Sequence, residues 1–189
     1  MSITDKTRGK VVTGKSQIVG GTGAVTGTGI TVLEDAGLAH QSIFNLSGTA
    51  LTGTDNTIMY YAQQLYTCPA GSILILGGTA DFSIVGSNGV ATSATGDWGV
   101  GTATCDSAGA LNGTDQNIIP STAYTLSSYA VDCTGRNAAI ISSGAPFDGS
   151  STAVTYFLNF ITDAGSFTTT GTITVTGTVT ITWVALGDY

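Results

Sequence analysis

One stretch near the start of the chain has the residue types and spacing of a phosphate-binding loop. Residues 9–16 read GKVVTGKS, which fits the pattern G-x-x-x-x-G-K-[ST]. In nucleotide-binding proteins this loop follows a buried strand and opens a helix, whose first backbone amides hold the phosphates. Here residues 1–8 are mostly polar and too few for a core strand, and residues 17–29 are too rich in glycine to sustain a helix. We therefore interpret the match as a chance one and expect no cofactor.

The other candidates for catalysis are one histidine and scattered carboxylates. A Ser-His-Asp triad would have to use His40, the single histidine, and the chain has no G-x-S-x-G turn. We predict that His40 is a polar or half-buried strand residue. Most acids adjoin Gly, Asn or Thr, which is typical of turns that Asp caps; examples are Asp55, Asp97, Asp115 and Asp148. A calcium loop or a carboxylate pair for glycoside cleavage is the lesser alternative, so we expect no catalytic and no metal site.

Three cysteines, Cys68, Cys105 and Cys133, are the remaining reactive side chains. An odd number is a poor disulfide framework, and no Cys-x-x-Cys pair is present to hold zinc. We predict three small buried hydrophobic side chains, with a Cys105–Cys133 disulfide as the lesser alternative.

Aromatic residues could instead form a platform that stacks on sugar rings. The candidates for such a platform are Trp98, Trp183, Tyr60, Tyr61 and Tyr156. Aromatic residues in strands more often belong to a core, which is the interpretation preferred here. The sugar platform remains the alternative.

Charge is scarce in this chain and unevenly distributed. Charged residues make up 9% of the sequence, where roughly 25% is usual, and the net charge is −7. Four of the five basic residues lie in residues 1–15, which carry a net +3, while the remainder carries −10. These four are predicted to contact an acidic partner, and the alternative is a solvated tail: Lys6, Arg8, Lys10 and Lys15. An acidic body repels phosphates, and the basic segment has no aromatic residue for base stacking, so we expect no nucleic acid partner.

No stretch has the length and apolarity of a membrane span, which needs about 18 apolar residues. The longest clear aliphatic run covers residues 73–76, and residues 1–15 lack the apolar core and cleavage pattern of a secretory signal. We therefore expect synthesis in a cytoplasm and no membrane partner.

The elements that carry these residues are predicted to be strands. The chain holds 33 Thr and 27 Gly but one Glu, which favours extended backbone and tight turns over helices. From 172 to 182 every even position is Thr, and the odd positions are apolar except Gly177. We predict two strands at 72–76 and 80–85, and a short helix or a strand at 57–67. Ten or so short strands favour a jelly-roll-like antiparallel β-sandwich over residues 30–189, preceded by an extended arm over residues 1–29.

Two stretches resemble small head proteins of tailed bacteriophages. Residues 61–78 read YAQQLYTCPAGSILILGG, and residues 171–188 read GTITVTGTVTITWVALGD. The resemblance spans most of the chain from about residue 30, and its motifs are structural. It implies a capsid decoration or cement protein with a jelly-roll-like body, a homotrimer held on the outside of the virion by the major capsid protein.

The sequence therefore predicts a non-enzymatic virion structural protein, made in the host cytoplasm, that binds the outer capsid surface and bridges capsomers. The alternative is a carbohydrate-binding β-sandwich module of a fibre or adhesin. The two differ in one visible respect, because only the alternative requires aromatic side chains exposed in a cleft.

Overall fold

The structure is a computed structural model that describes residues 29–36, 39–53, 59–87, 89–105, 110–137, 146–149 and 151–187. The strands of this described part are β1 (Ile30–Ala36), β2 (His40–Gly53), β3 (Met59–Thr67), β4 (Gly71–Gly86), β5 (Thr95–Gly101), β6 (Ile119–Thr125), β7 (Ala130–Asn137), β8 (Phe147–Gly149), β9 (Thr155–Thr162) and β10 (Gly171–Gly187). A single turn of 3-10 helix, Gly113–Asp115, lies in the connection between β5 and β6. The described part of the chain has no helix long and apolar enough to cross a membrane. The predicted arm lies outside the described residues except for Gly29.

Two antiparallel sheets face each other. The large sheet has the order β1-β2-β10-β4-β7, with β8 pairing to the start of β4, and the small sheet has the order β3-β9-β5-β6. Without β1 and β8, each sheet has four strands, and every connection between these eight strands crosses from one sheet to the other except the one between β5 and β6. This is the strand arrangement of a jelly roll, which confirms the predicted fold class.

The alternation predicted for β10 is confirmed. Its odd-numbered residues face the core with at most 1% exposure: Ile173, Val175, Val179, Ile181 and Trp183. Its threonines face outward. Gly177 has φ +147, and a Cβ there would collide with the carbonyl oxygen of Asp81 on β4, so the close approach of two central strands requires glycine.

The core fills the space between the sheets with aromatic side chains. Phe82 of β4 meets Trp98 of β5 edge-on at 4.7 Å between ring centroids, and Tyr66 of β3 lies 6.5 Å from Trp183 of β10. Each such pair contributes about 0.5–1.5 kcal/mol beyond the area it buries. The sheets are therefore held together as one rigid body.

Two local predictions are settled by the strand bounds. The segment at 57–67 is a strand, β3, over its described residues. Residues 72–76 and 80–85 are strand, as predicted, but the predicted break at Gly77 and Gly78 is wrong, because β4 is continuous over 16 residues. The glycines do not end the strand, since the ladder absorbs them with a register shift opposite Thr182 and Trp183.

Candidate interaction surface

The outer face of the large sheet is a broad surface of short polar side chains. One row across it runs from Asn45 of β2 through Thr178 of β10 and Asp81 of β4 to Thr134 of β7. Its charged side chains include Asp81, Asp132 and Arg136, all exposed. Hydroxyl and amide groups dominate, so this face suits hydrogen bonding more than apolar burial.

Two adjoining shallow hollows lie on this face and share Thr79 and Arg136. Their volumes are about 440 and 450 Å³. The residues lining either hollow are Gln41, Leu76, Gly77, Gly78, Thr79, Ala80, Asp81, Thr134, Gly135, Arg136, Thr180 and Thr182. No aromatic ring lines either hollow, so neither offers a stacking surface for a sugar.

The outer face of the small sheet is covered by the chain itself over β9 and β5. The connection between β5 and β6 folds back over β9, and Cys105 and Leu111 pack there on Ile161. Asn159 of β9 is fully buried beneath it. The Asn159 Nδ2 donates to the carbonyl oxygens of Ala103 at 2.9 Å and Asp115 at 2.7 Å, and its Oδ1 accepts from the Cys105 backbone N–H at 3.1 Å. One amide therefore fixes both described parts of the covering connection.

The three cysteines are buried and form no disulfide, as predicted. Cys133 lies in the core between the sheets, whereas Cys105 lies outside the small sheet under the covering connection. The lesser alternative of a Cys105–Cys133 disulfide is therefore wrong. Burial raises the pKa of the Cys105 thiol, and it raises the pKa of Cys133 to about 12. Thiols in this condition are poor nucleophiles and poor metal ligands at neutral pH.

The histidine is a core residue of β2. His40 is 5% exposed, and its ring stacks on Trp183 at 4.4 Å between centroids. The indole Nε1 of Trp183 donates to Ser42 Oγ at 2.9 Å, which holds the stacked pair in place. The prediction of a strand position is confirmed, and the side chain is more deeply buried than predicted.

The acids predicted at turns lie in different settings. Asp115 ends the 3-10 turn, and its side chain accepts from the Asn112 backbone N–H, so its capping role is confirmed. Asp97 and Asp148 are wrong as turn residues, since they lie in β5 and β8. Asp55 and the loop-like match at 9–16 lie outside the described residues. The described residues contain no group of three His, Cys, Asp or Glu placed to hold a metal.

The five aromatic candidates do not form one exposed platform. Trp98, Trp183 and Tyr156 are fully buried, as the core interpretation predicted. Tyr61 is half-buried and packs on the core, while Tyr60 is 45% exposed. A ligand at the surface could contact Tyr60 among these five, but not the two tryptophans.

The strained turn between β6 and β7 was not predicted from the sequence. Ser128 and Tyr129 have φ +53 and +74, and they are the only non-glycine residues at positive φ in the described part of the chain. The backbones of Ser127 and Ala130 bond to each other in both directions, at 2.9 and 3.2 Å. Turns of this kind favour Asn-Gly at the two central positions, so Ser-Tyr carries no recognisable signal. Only the structure shows that this turn holds an exposed tyrosine at positive φ.

The four basic residues predicted to contact a partner lie outside the described residues: Lys6, Arg8, Lys10 and Lys15. The described chain begins at Gly29, whose carbonyl oxygen accepts from the Ser47 backbone N–H at 2.8 Å. This bond fixes where the N-terminal segment joins the body, beside β2.

No family model matches this sequence, and no curated protein matches it. Among solved structures, a carbohydrate-binding module described as "CBM4 structure and function" is similar with a TM-score of 0.42 and 14% identity. The alignment covers 70% of this chain and 82% of that chain. Similarity at this level supports no inference about function.

Proposed function

We propose that this chain is a non-enzymatic structural protein of a virion, a decoration or cement protein on the outer capsid surface. In this proposal it bridges neighbouring subunits of the major capsid protein as a homotrimer. The observation that carries the proposal is the separation of charge, with +3 in residues 1–15 and −10 in the remainder. Within the described residues the only basic side chain is Arg136.

The two parts have complementary roles in this mechanism. The jelly roll supplies a rigid body, and the basic residues before it pair with acids on a neighbouring subunit or another copy. An exposed ion pair contributes about 0.2–1 kcal/mol, so four pairs hold one arm weakly. A trimer presents three arms, and simultaneous binding multiplies their effect through a high effective concentration.

The two stretches that resemble phage head proteins come together in the fold. The first supplies most of β3 and the first half of β4, and the second supplies β10; β4 and β10 pair in the large sheet, with Leu74 opposite Val184. The two stretches are therefore in contact in the fold although about 90 residues separate them in the sequence, which supports extending the resemblance to function.

The proposal is tested by removing the charge of the arm while leaving the body intact. The variant replaces Lys6, Arg8, Lys10 and Lys15 by Gln, and its matched control is Arg136→Gln on the body. Binding is measured on empty capsid shells that lack this protein. We expect the fourfold variant to bind the shells at least tenfold more weakly than the unmodified protein. Added salt should weaken the binding of the unmodified protein to the shells. Arg136→Gln should bind normally.

Two further measurements bear on the same proposal. Shells loaded with the protein should withstand higher temperature than bare shells, and light scattering should give the mass of a trimer. Equal heat resistance with and without the protein would refute the cementing role. A monomer that binds no shell would favour the carbohydrate-binding alternative, for which Tyr60 and Tyr129 are the exposed aromatic residues to mutate.

A further inference from the structure

One end of the sandwich gathers the exposed apolar side chains of the described residues. Three large hydrophobic residues are exposed, namely Tyr60 at 45%, Val85 at 47% and Tyr129 at 40%. Tyr60 is the second residue of β3, Val85 is the last but one of β4, and Tyr129 is in the turn after β6. In a jelly roll the connections into β3, out of β4 and out of β6 lie at the same end. We name this end, with the β9–β10 connection, the turn end.

Val85 and Tyr129 are neighbours within the turn end. The carbonyl oxygen of Tyr129 accepts from the Gly86 backbone N–H at 2.7 Å, and Val85 lies opposite Ala130 in the ladder. Val85 and Ala130 are both exposed on the outer face. The backbone of Tyr129 is thus fixed beside an exposed apolar pair, Val85 and Ala130.

Charge is nearly absent from the described connections at this end. The described residues of its connections, 87, 89–94, 126–129 and 163–170, include a single charged side chain, Asp163. The centres of protein interfaces share this composition, since they are depleted in charge and enriched in tyrosine.

The N-terminal segment joins the body near this end. Gly29 bonds to Ser47, and the ladder places Ser47 opposite Thr176 and Ser83, close to the row that joins Ala50, Thr174 and Val85. The separation along the strands is two to three residues, or roughly 10 Å. The 28 residues that precede Gly29 include all four cations of the arm.

We infer that the turn end is the surface that docks on the major capsid protein, with Tyr129 as its apolar anchor. The inference rests on the proposed function and specifies the orientation of the body on the shell. The arm and the anchor then meet the same partner, because the arm joins the body roughly 10 Å from the row of Val85. The strained backbone of Ser128 and Tyr129 keeps an aromatic ring where glycine would give a more relaxed turn.

The test separates the ring of Tyr129 from the strain of its turn. Tyr129→Gly removes the ring and relaxes the backbone, whereas Ser128→Asn relaxes the backbone and keeps the ring. Both variants should melt at or above the temperature of the unmodified protein. Tyr129→Gly should bind bare capsid shells at least tenfold more weakly, and Ser128→Asn should bind normally. Thr134→Lys, on the outer face of the large sheet, should also bind normally.

A second measurement does not depend on any variant. Hydroxyl-radical labelling of the free and shell-bound protein should show protection of Tyr60 and Tyr129. Phe147 in β8, partly exposed at the opposite end, should be labelled equally in both states.

The outcomes distinguish this inference from the proposed function. If the unmodified protein binds shells and Tyr129→Gly binds equally well, the docking end is wrong and the proposed function stands. If the unmodified protein binds no shell, both are overturned. If Tyr129→Gly lowers the oligomer mass but not shell affinity, the turn end contacts a second copy, and the inference is again wrong.

Discussion

The two outer faces of the sandwich differ in what lies against them. The middle of the outer face of the small sheet is covered by the chain's own β5–β6 connection, which buries Asn159 and Ile161. The outer face of the large sheet has no such connection over its described residues, and β10 presents a threonine there at every second position from 172 to 182. One fold therefore contains a face that the chain covers at its middle and a face on which no described segment lies.

The residues of each face follow from that difference. A covered face needs glycine where backbones touch, and a Cβ on Gly101 would collide with the carbonyl oxygen of Thr114. It also needs partners for every backbone group it buries, which Asn159 supplies. An open face needs neither such glycines nor such partners. Its β-branched threonines are sufficient to keep the strand extended and its outer surface hydrated.

The largest effect is expected from removing the amide that fixes the cover. Asn159→Ala leaves the Cys105 N–H and the carbonyls of Ala103 and Asp115 without this partner in a buried site. Unsatisfied buried groups are expensive, so we expect the free energy of unfolding to fall by about 3 kcal/mol. Urea denaturation followed by tryptophan fluorescence measures the loss.

The matched control is the same substitution on the open face. Asn45 of β2 is half-buried there, and Asn45→Ala should change the free energy of unfolding by less than about 0.5 kcal/mol. Equal losses at Asn45 and Asn159 would erase the distinction between the faces.

A smaller effect is expected where the cover touches β5. Gly101→Ala pushes the segment at Thr114 and Asp115 away from the strand and should cost about 2 kcal/mol, as overpacking usually does. The Cys105 thiol lies under that cover, so it should react faster with a thiol reagent. A Gly101→Ala, Cys105→Ala double variant identifies the thiol, since it should lose the fast phase. A fast phase that persists in it would assign the opening to Cys68 or Cys133.

The open face was predictable from the sequence, and the reason is local. The alternation in β10 repeats every second residue, so one short window contains both the buried and the outward side chains. The many short strands with glycine turns indicated the jelly roll for the same reason. Glycines led to a wrong prediction at Gly77 and Gly78, where we expected a break and the strand continues with a register shift in the ladder.

The covered face could not be predicted, because its bonds are not local. Asn159 reaches partners 44 to 56 residues away in the sequence, and nothing in its neighbours on β9 marks it as buried. The turn at Tyr129 was not predicted for another reason, because it contains no glycine or asparagine to indicate positive φ. Long-range pairing and strained turns both need coordinates.

The smallest expected effect is a loss of stability in alkali, and it arises in the core between the two sheets. Tyr124 of β6 and Cys133 of β7 lie in the core, one on each sheet. Burial raises the pKa of both, and that of Cys133 rises from 9.0 to about 12. Above pH 9 the unfolded chain loses protons that the folded chain keeps, so stability that is complete below pH 9 is lost as pH rises toward 12.

We expect the free energy of unfolding to be about 1 kcal/mol lower at pH 10 than at pH 8, mostly through Cys133. Tyr124→Phe sharpens the test, because the Tyr124 hydroxyl is buried with no hydrogen-bond partner among the described residues. The variant should be at least as stable as the unmodified protein at pH 8 and should lose less stability between pH 9 and pH 11. If the Cys105 thiol instead became reactive in alkali before the core unfolded, the contact between the β5–β6 connection and the small sheet would be weaker than the contact between the two sheets. The small sheet would then lose its outer cover first and its inner packing second.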